Sequence, residues 1–182
     1  MSFHIPLITD WQGGVGPNQR LRVDVGQTGF FAGREARTFR ELAIPTGNTV
    51  VVKAVVPLNI ILFGLSVFLT DGTVKVETMV GGTEGGTFSE TLPIFPSNTM
   101  TERPTPLYVP QVVLTAGGTH TGGTVLDVLY AATSGIGSQA ASVGVETGDE
   151  RGVGAGTYYF RITASGSATA TGVFKARWEE RP

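Results

Sequence analysis

Short runs of alternating apolar and polar residues, each ended by glycine or proline, limit what this chain can become. In the stretch from 157 to 164, Tyr158, Phe160, Ile162 and Ala164 fall on one face and Thr157, Tyr159, Arg161 and Thr163 on the other. That is the two-residue period of a half-buried strand. Ala170, Gly172, Phe174, Ala176 and Trp178 repeat the pattern against Thr171, Val173, Lys175, Arg177 and Glu179. A three-residue loop at 165–167 would pair the two runs as a hairpin, setting Phe160 opposite Gly172 and Tyr158 opposite Phe174.

The same grammar recurs at 20–26, 36–44, 49–56, 59–69, 73–80, 107–115 and 123–132, with turn signals such as Asp71-Gly72, Gly81-Gly82 and Gly117-Gly118 between the runs. Glycine fills 26 of the 182 positions, about twice its usual ~7% share, which favours turns over helices. Only residues 34–43, REARTFRELA, suit a short helix as well as a strand. The expectation is an all-β antiparallel β-sandwich, jelly-roll-like. Residues 1–29 would form an N-terminal arm and first strand, and 30–182 one domain with a long Pro/Gly-rich limb at 81–106. An extended limb of that kind lies along a surface, its own or a neighbour's, and its large apolar residues Phe88, Leu92, Ile94 and Phe95 are candidate contacts.

Searching the chain for chemistry removes function classes one by one. No cysteine is present, which excludes disulfides, thiolate metal sites and cysteine nucleophiles. The two histidines, His4 and His120, show no metal-ligand spacing. His120 sits in GGTHTGG and reads as a solvated turn residue. Asp149, Glu150 and Arg151 lack the regular oxygen spacing of a calcium loop, and Glu179, Glu180 and Arg181 read as a solvated charged end. No phosphate-binding glycine loop or nucleophile elbow occurs. These observations predict no enzyme activity and no cofactor.

A net charge of -2 gives no electrostatic footprint for nucleic acid or an anionic membrane. The longest apolar run, 54–69, is shorter than the ~20 residues of a membrane helix, and the first residues carry no secretory pattern. The remaining candidates are contact residues. Trp11 on the arm and an outward-facing Tyr159 could stack on sugar or pack against a partner. Tyr159, Arg161, Lys175 and Arg177 would form a basic strip on the outer side of the closing hairpin.

Residues 86–129, with ERPTP and GGTHTGGT, and 149–182, with ATGVFKARWEERP, resemble a family of small virion structural proteins of tailed bacteriophages. Similarity runs from about Phe30 to the C-terminus. The resemblance implies a virion component assembled in the host cytoplasm, a capsid decoration or cement protein that bridges neighbouring subunits. The major capsid protein or other virion proteins would be its partners, together with further copies of itself. A head-tail or tail-fibre adaptor, or a carbohydrate-binding module of a fibre, are the alternatives.

Overall fold

A computed structural model describes residues 28–99, 108–133 and 151–182. The expected first strand at 20–26, the arm with Trp11, and Asp149 and Glu150 lie outside the described residues. Within the described residues a helical turn α1 (Thr28–Phe31) precedes β1 (Glu35–Ile44), β2 (Thr49–Val56), β3 (Ile60–Asp71), β4 (Thr73–Val80), β5 (Thr83–Gly85), β6 (Glu90–Thr91), β7 (Ile94–Pro96), β8 (Val113–Ala116), β9 (Thr119–Thr121), β10 (Thr124–Ala132), β11 (Arg151–Val153), β12 (Gly156–Ala164) and β13 (Ala170–Glu180). One sheet runs β11-β3-β13-β1-β7, a second β10-β4-β12-β2-β8-β6, and β5 pairs with β9 in a small third. All ladders are antiparallel, and the all-β sandwich expected from the alternation is what forms. The ambiguous segment at 34–43 is strand, which suits Thr38 and Phe39.

The closing hairpin does not form. β12 pairs with β2 and β4 in the six-stranded sheet, whereas β13 pairs with β1 and β3 in the five-stranded one. Phe174 therefore stands opposite Arg40 and Val67, and Gly172 opposite Leu42 and Leu69. Residues 165–169 carry the chain from one sheet to the other. The facing of each strand is nevertheless as the alternation predicts. Phe160, Phe174 and Trp178 are buried, and the rings of Phe160 and Phe174 meet across the sandwich at 5.6 Å. Burial of each such ring contributes roughly 2–3 kcal/mol.

Strand β2 shows why its sequence, TVVVKAVV, is nearly continuous in apolar residues. Val52, Ala54 and Val56 face the main core, while Val51 faces outward into a second cluster with Met79 and Tyr159. A central strand covered on both faces has little use for polar residues.

The described part of the limb, 81–99, lies on the chain's own surface and stitches the two sheets together along one side. β6 pairs with β8 of the six-stranded sheet and β7 with β1 of the five-stranded sheet. Between them the Leu92 amide donates to the Leu114 carbonyl at 2.9 Å, and the Thr38 hydroxyl donates to the Pro93 carbonyl at 2.7 Å. Arg40 spans the same seam with two bonds to the Glu90 carboxylate, at 2.9 and 2.7 Å. Leu92 is buried in the core and Ile94, half-buried, packs against it.

The acidic end is not solvated either. Glu179 and Glu180 are 4% and 0% exposed. Glu180 Oε1 accepts from the amides of Gln111 and Val112, both at 3.0 Å, and from Trp178 Nε1 at 3.2 Å. Its Oε2 accepts from the Tyr108 hydroxyl at 2.6 Å. One carboxylate thus ties the last strand to the segment that enters β8.

This knot predicts an alkaline limit to stability. Burial, reinforced by the bond to Glu180, pushes the Tyr108 hydroxyl up to about 12. Burial and a 2.6 Å bond to Glu84 do the same for Tyr159, also to about 12. Above the ordinary tyrosine value of 10 the unfolded chain loses these protons while the folded chain keeps them, so stability falls as pH rises from 10 towards 12. Urea midpoints should be level up to about pH 9 and drop by pH 11.5. A flat profile through pH 11.5 would contradict the assignment.

Candidate docking surface

The outer face of the five-stranded sheet is where exposed aromatic rings and cations converge. Its strand order places Phe95 of β7 opposite Arg37 of β1, Arg37 opposite Arg177 of β13, and Arg177 opposite Gly64 of β3. In the neighbouring row Phe39 stands opposite Lys175, and Lys175 opposite Ser66. Phe39 and Phe95 stack with ring centroids 5.5 Å apart and planes 7° from parallel, yet they remain 44% and 38% exposed.

The cations on this face are held over rings. Lys175 Nζ lies 4.7 Å from the centroid of Phe68, and Arg177 Cζ lies 5.3 Å from that of Phe63. Such contacts contribute about 0.5–1 kcal/mol at exposed sites. Arg37 and Arg177 are like charges directly opposite each other, a destabilising arrangement. Arg177 is turned instead to the buried Glu35 carboxylate, 2.7 Å away. Counting Arg37, Lys175, Arg177 and Arg181 against Glu35, Glu41 and Glu179, the face carries one net positive charge. Lys175 and Arg177 lie on the central strand β13, with rings on either side, Phe63 and Phe68 on β3 and Phe39 and Phe95 on β1 and β7.

The contact residues expected from sequence are scattered by this architecture. Phe95, Lys175 and Arg177 share the face just described. Tyr159 and Arg161 belong to β12 and lie on the outer side of the other sheet, so the continuous basic strip does not exist. Tyr159 is only 6% exposed, because the flap of β5 and β9 and the ring of Phe88 cover it. Phe88 also sits beneath Lys53, whose Nζ is 5.5 Å from its centroid. Arg161 is paired with Glu77, with Nε 2.9 Å and Nη2 2.5 Å from Oε2.

His120, expected in a solvated turn, is 4% exposed on β9. Its ring stacks on Tyr159 at 3.9 Å. Glycines at positive φ on either side, Gly117 at 105° and Gly122 at 70°, fold this short strand back over the sheet. Phe39, Phe63 and Phe68 were not expected at the surface. Phe39 could have been found as the large apolar residue on the polar phase of its strand, but Phe63 lies next to a register shift in β3 that breaks simple alternation.

The fold and this surface define a two-sheet β-sandwich with an aromatic and cationic outer face. Comparison with protein-family models, curated proteins and solved structures finds no match to the chain.

Proposed function

We propose that this chain is a virion structural protein, a capsid decoration or cement protein that docks the outer face of its five-stranded sheet onto an acidic surface of the major capsid protein. The observation that carries the reading is the exposed Phe39 and Phe95 stack with Lys175 and Arg177 beside it. Aromatic and arginine side chains dominate binding energy at protein interfaces. Cations set among these rings steer association with an acidic partner. The resemblance of residues 86–129 and 149–182 to structural proteins of tailed bacteriophages supplies the class of that partner. Contacts that are modest singly become strong when many copies bridge adjacent subunits, and binding to the assembled shell stabilises it over its parts.

The test combines copy number with surface substitution. Quantitative mass spectrometry of purified particles should find the chain in numbers near those of the capsid protein; a dozen copies or fewer would favour a head-tail or fibre adaptor. Reversing Arg177 would set two carboxylates against each other at Glu35, so the informative variant is Phe39→Ser with Phe95→Ser and Lys175→Glu. Its affinity for particles lacking the protein should fall at least about a hundredfold, or ~2.8 kcal/mol. Unchanged binding would remove this face from the account.

A further inference from the structure

The outer side of the six-stranded sheet holds a second site, built of polar groups. The register lines up Tyr130, Lys75, Thr163 and Thr49 in one row, and Val128, Glu77, Arg161 and Val51 in the next. Thr119 and His120 of β9 overhang these rows and close a cleft of about 410 Å³, within the ~300–1,000 Å³ of small-molecule sites. The floor is fixed in advance. Lys75 Nζ donates to Glu77 Oε1 at 2.7 Å, Arg161 holds Oε2, and the hydroxyls of Thr49 and Thr163 bond each other at 2.9 Å. The bond from Lys75 and the pairing with Arg161 hold the Glu77 carboxyl below the usual carboxylate range against the opposing effect of burial. Glu77 therefore stays ionised, and Lys75 and Arg161 together outweigh it by one positive charge.

Behind the wall of the cleft lies an unfilled hydrogen-bonding position. His120 Nε2 is 2.7 Å from the Gly81 carbonyl. A carbonyl only accepts, so in the neutral ring Nε2 carries the hydrogen and Nδ1 presents a bare lone pair. Nδ1 is buried and has no partner among the described residues, an omission that is costly for a buried polar atom. β9 is joined to β5 by a ladder of only three residue pairs and is bracketed by Gly117, Gly118, Gly122 and Gly123. That ladder is short, and lifting it, at the cost of the His120 stack on Tyr159, exposes Nδ1 to the cleft.

We infer that this cleft binds a saccharide residue bearing a carboxylate, with β9 closing over it. The carboxylate meets the uncompensated charge of Lys75 and Arg161. A ring hydroxyl donates to His120 Nδ1, and further hydroxyls exchange bonds with Thr119 and Thr163. Tyr130, 64% exposed and opposite Lys75, offers a ring at the rim for the apolar face of the sugar. This site lies on the opposite side of the sandwich from the docking surface, and neither stands or falls with the other.

Titration calorimetry of the full chain with sodium glucuronate, a galacturonate trisaccharide and sialyllactose tests the inference, with glucose and maltotriose as neutral counterparts. At least one acidic sugar should bind, tenfold or more tightly than the neutral ones. Binding should shift the nitrogen-15 resonance of His120 Nδ1. Lys75→Gln, a surface change that leaves the core alone, should weaken binding about tenfold. His120→Phe retains the stack on Tyr159 and should abolish measurable binding while far-ultraviolet circular dichroism stays unchanged. Should the histidine variant misfold, the lysine variant and the nitrogen-15 shift decide. Absence of binding across the acidic panel, equal binding of neutral sugars, or an unaltered affinity in Lys75→Gln would overturn the inference.

Discussion

Glu180→Ala is expected to lower the melting temperature by about 8–16 °C, the equivalent of ~4 kcal/mol in a chain of this size. The carboxylate is fully buried and accepts hydrogen bonds from Tyr108, Gln111, Val112 and Trp178. Removing it leaves two backbone amides, an indole N–H and a phenol facing a void. Each buried donor left without an acceptor costs about 1–3 kcal/mol, and partial relaxation keeps the total below their sum. Glu180→Gln retains one acceptor oxygen but turns an amide NH₂ towards other donors, so about half the loss is expected. Differential scanning calorimetry of the two variants checks the ranking. A loss under ~1 kcal/mol in the alanine variant would mean that the knot is not a principal tie between the last strand and the segment before β8.

Gly172→Ala should cost about 3 kcal/mol or more, because the site has no room for a methyl group. An ideal Cβ at this position would lie 2.1 Å from the Phe68 carbonyl oxygen and 2.8 Å from Leu69 Cα, both backbone atoms of β3. The register of β13 on β3 shifts between Thr171 and Gly172, and the irregularity draws the two backbones together. Backbone atoms cannot step aside as a flexible side chain can, so the ladder itself must move. Gly64 provides the control on the same pair of strands. Nothing lies within 4 Å of its ideal Cβ, and Gly64→Ala should change stability by less than ~1 kcal/mol. Urea denaturation of both variants separates the close approach from a general cost of altering glycine in a strand. Equal effects at the two positions would refute the close-approach explanation.

The positions where sequence reading and structure part company have one cause in common. Alternation reports which side of a strand is buried, and Phe160, Phe174 and Trp178 are inside for the reason their spacing gives. It reports nothing about which strand lies alongside. β12 and β13 would show the same pattern in a hairpin or in opposite sheets, so the basic strip drawn across them dissolved once each found different neighbours. His120 illustrates a second gap. The glycines around it do mark turns, but those turns fold the short strand down onto Tyr159, and no local signal distinguishes a turn facing solvent from one facing the sheet. Glu180 is a third case, because its donors Tyr108, Gln111 and Val112 stand 68 to 72 residues away in sequence.

Residue spacing alone determined that this polypeptide is built of strands, where most of them run, as at 49–56 and 73–80, and which side of each is apolar. Tertiary structure decided the pairing order, and with it the grouping of Phe39, Phe63, Phe68 and Phe95 from three strands into one surface and the burial of two terminal carboxylates. The physical reason is range. Side-chain direction along a strand is set by the backbone two residues at a time, whereas lateral pairing is chosen by the total area and hydrogen bonding that distant segments gain together.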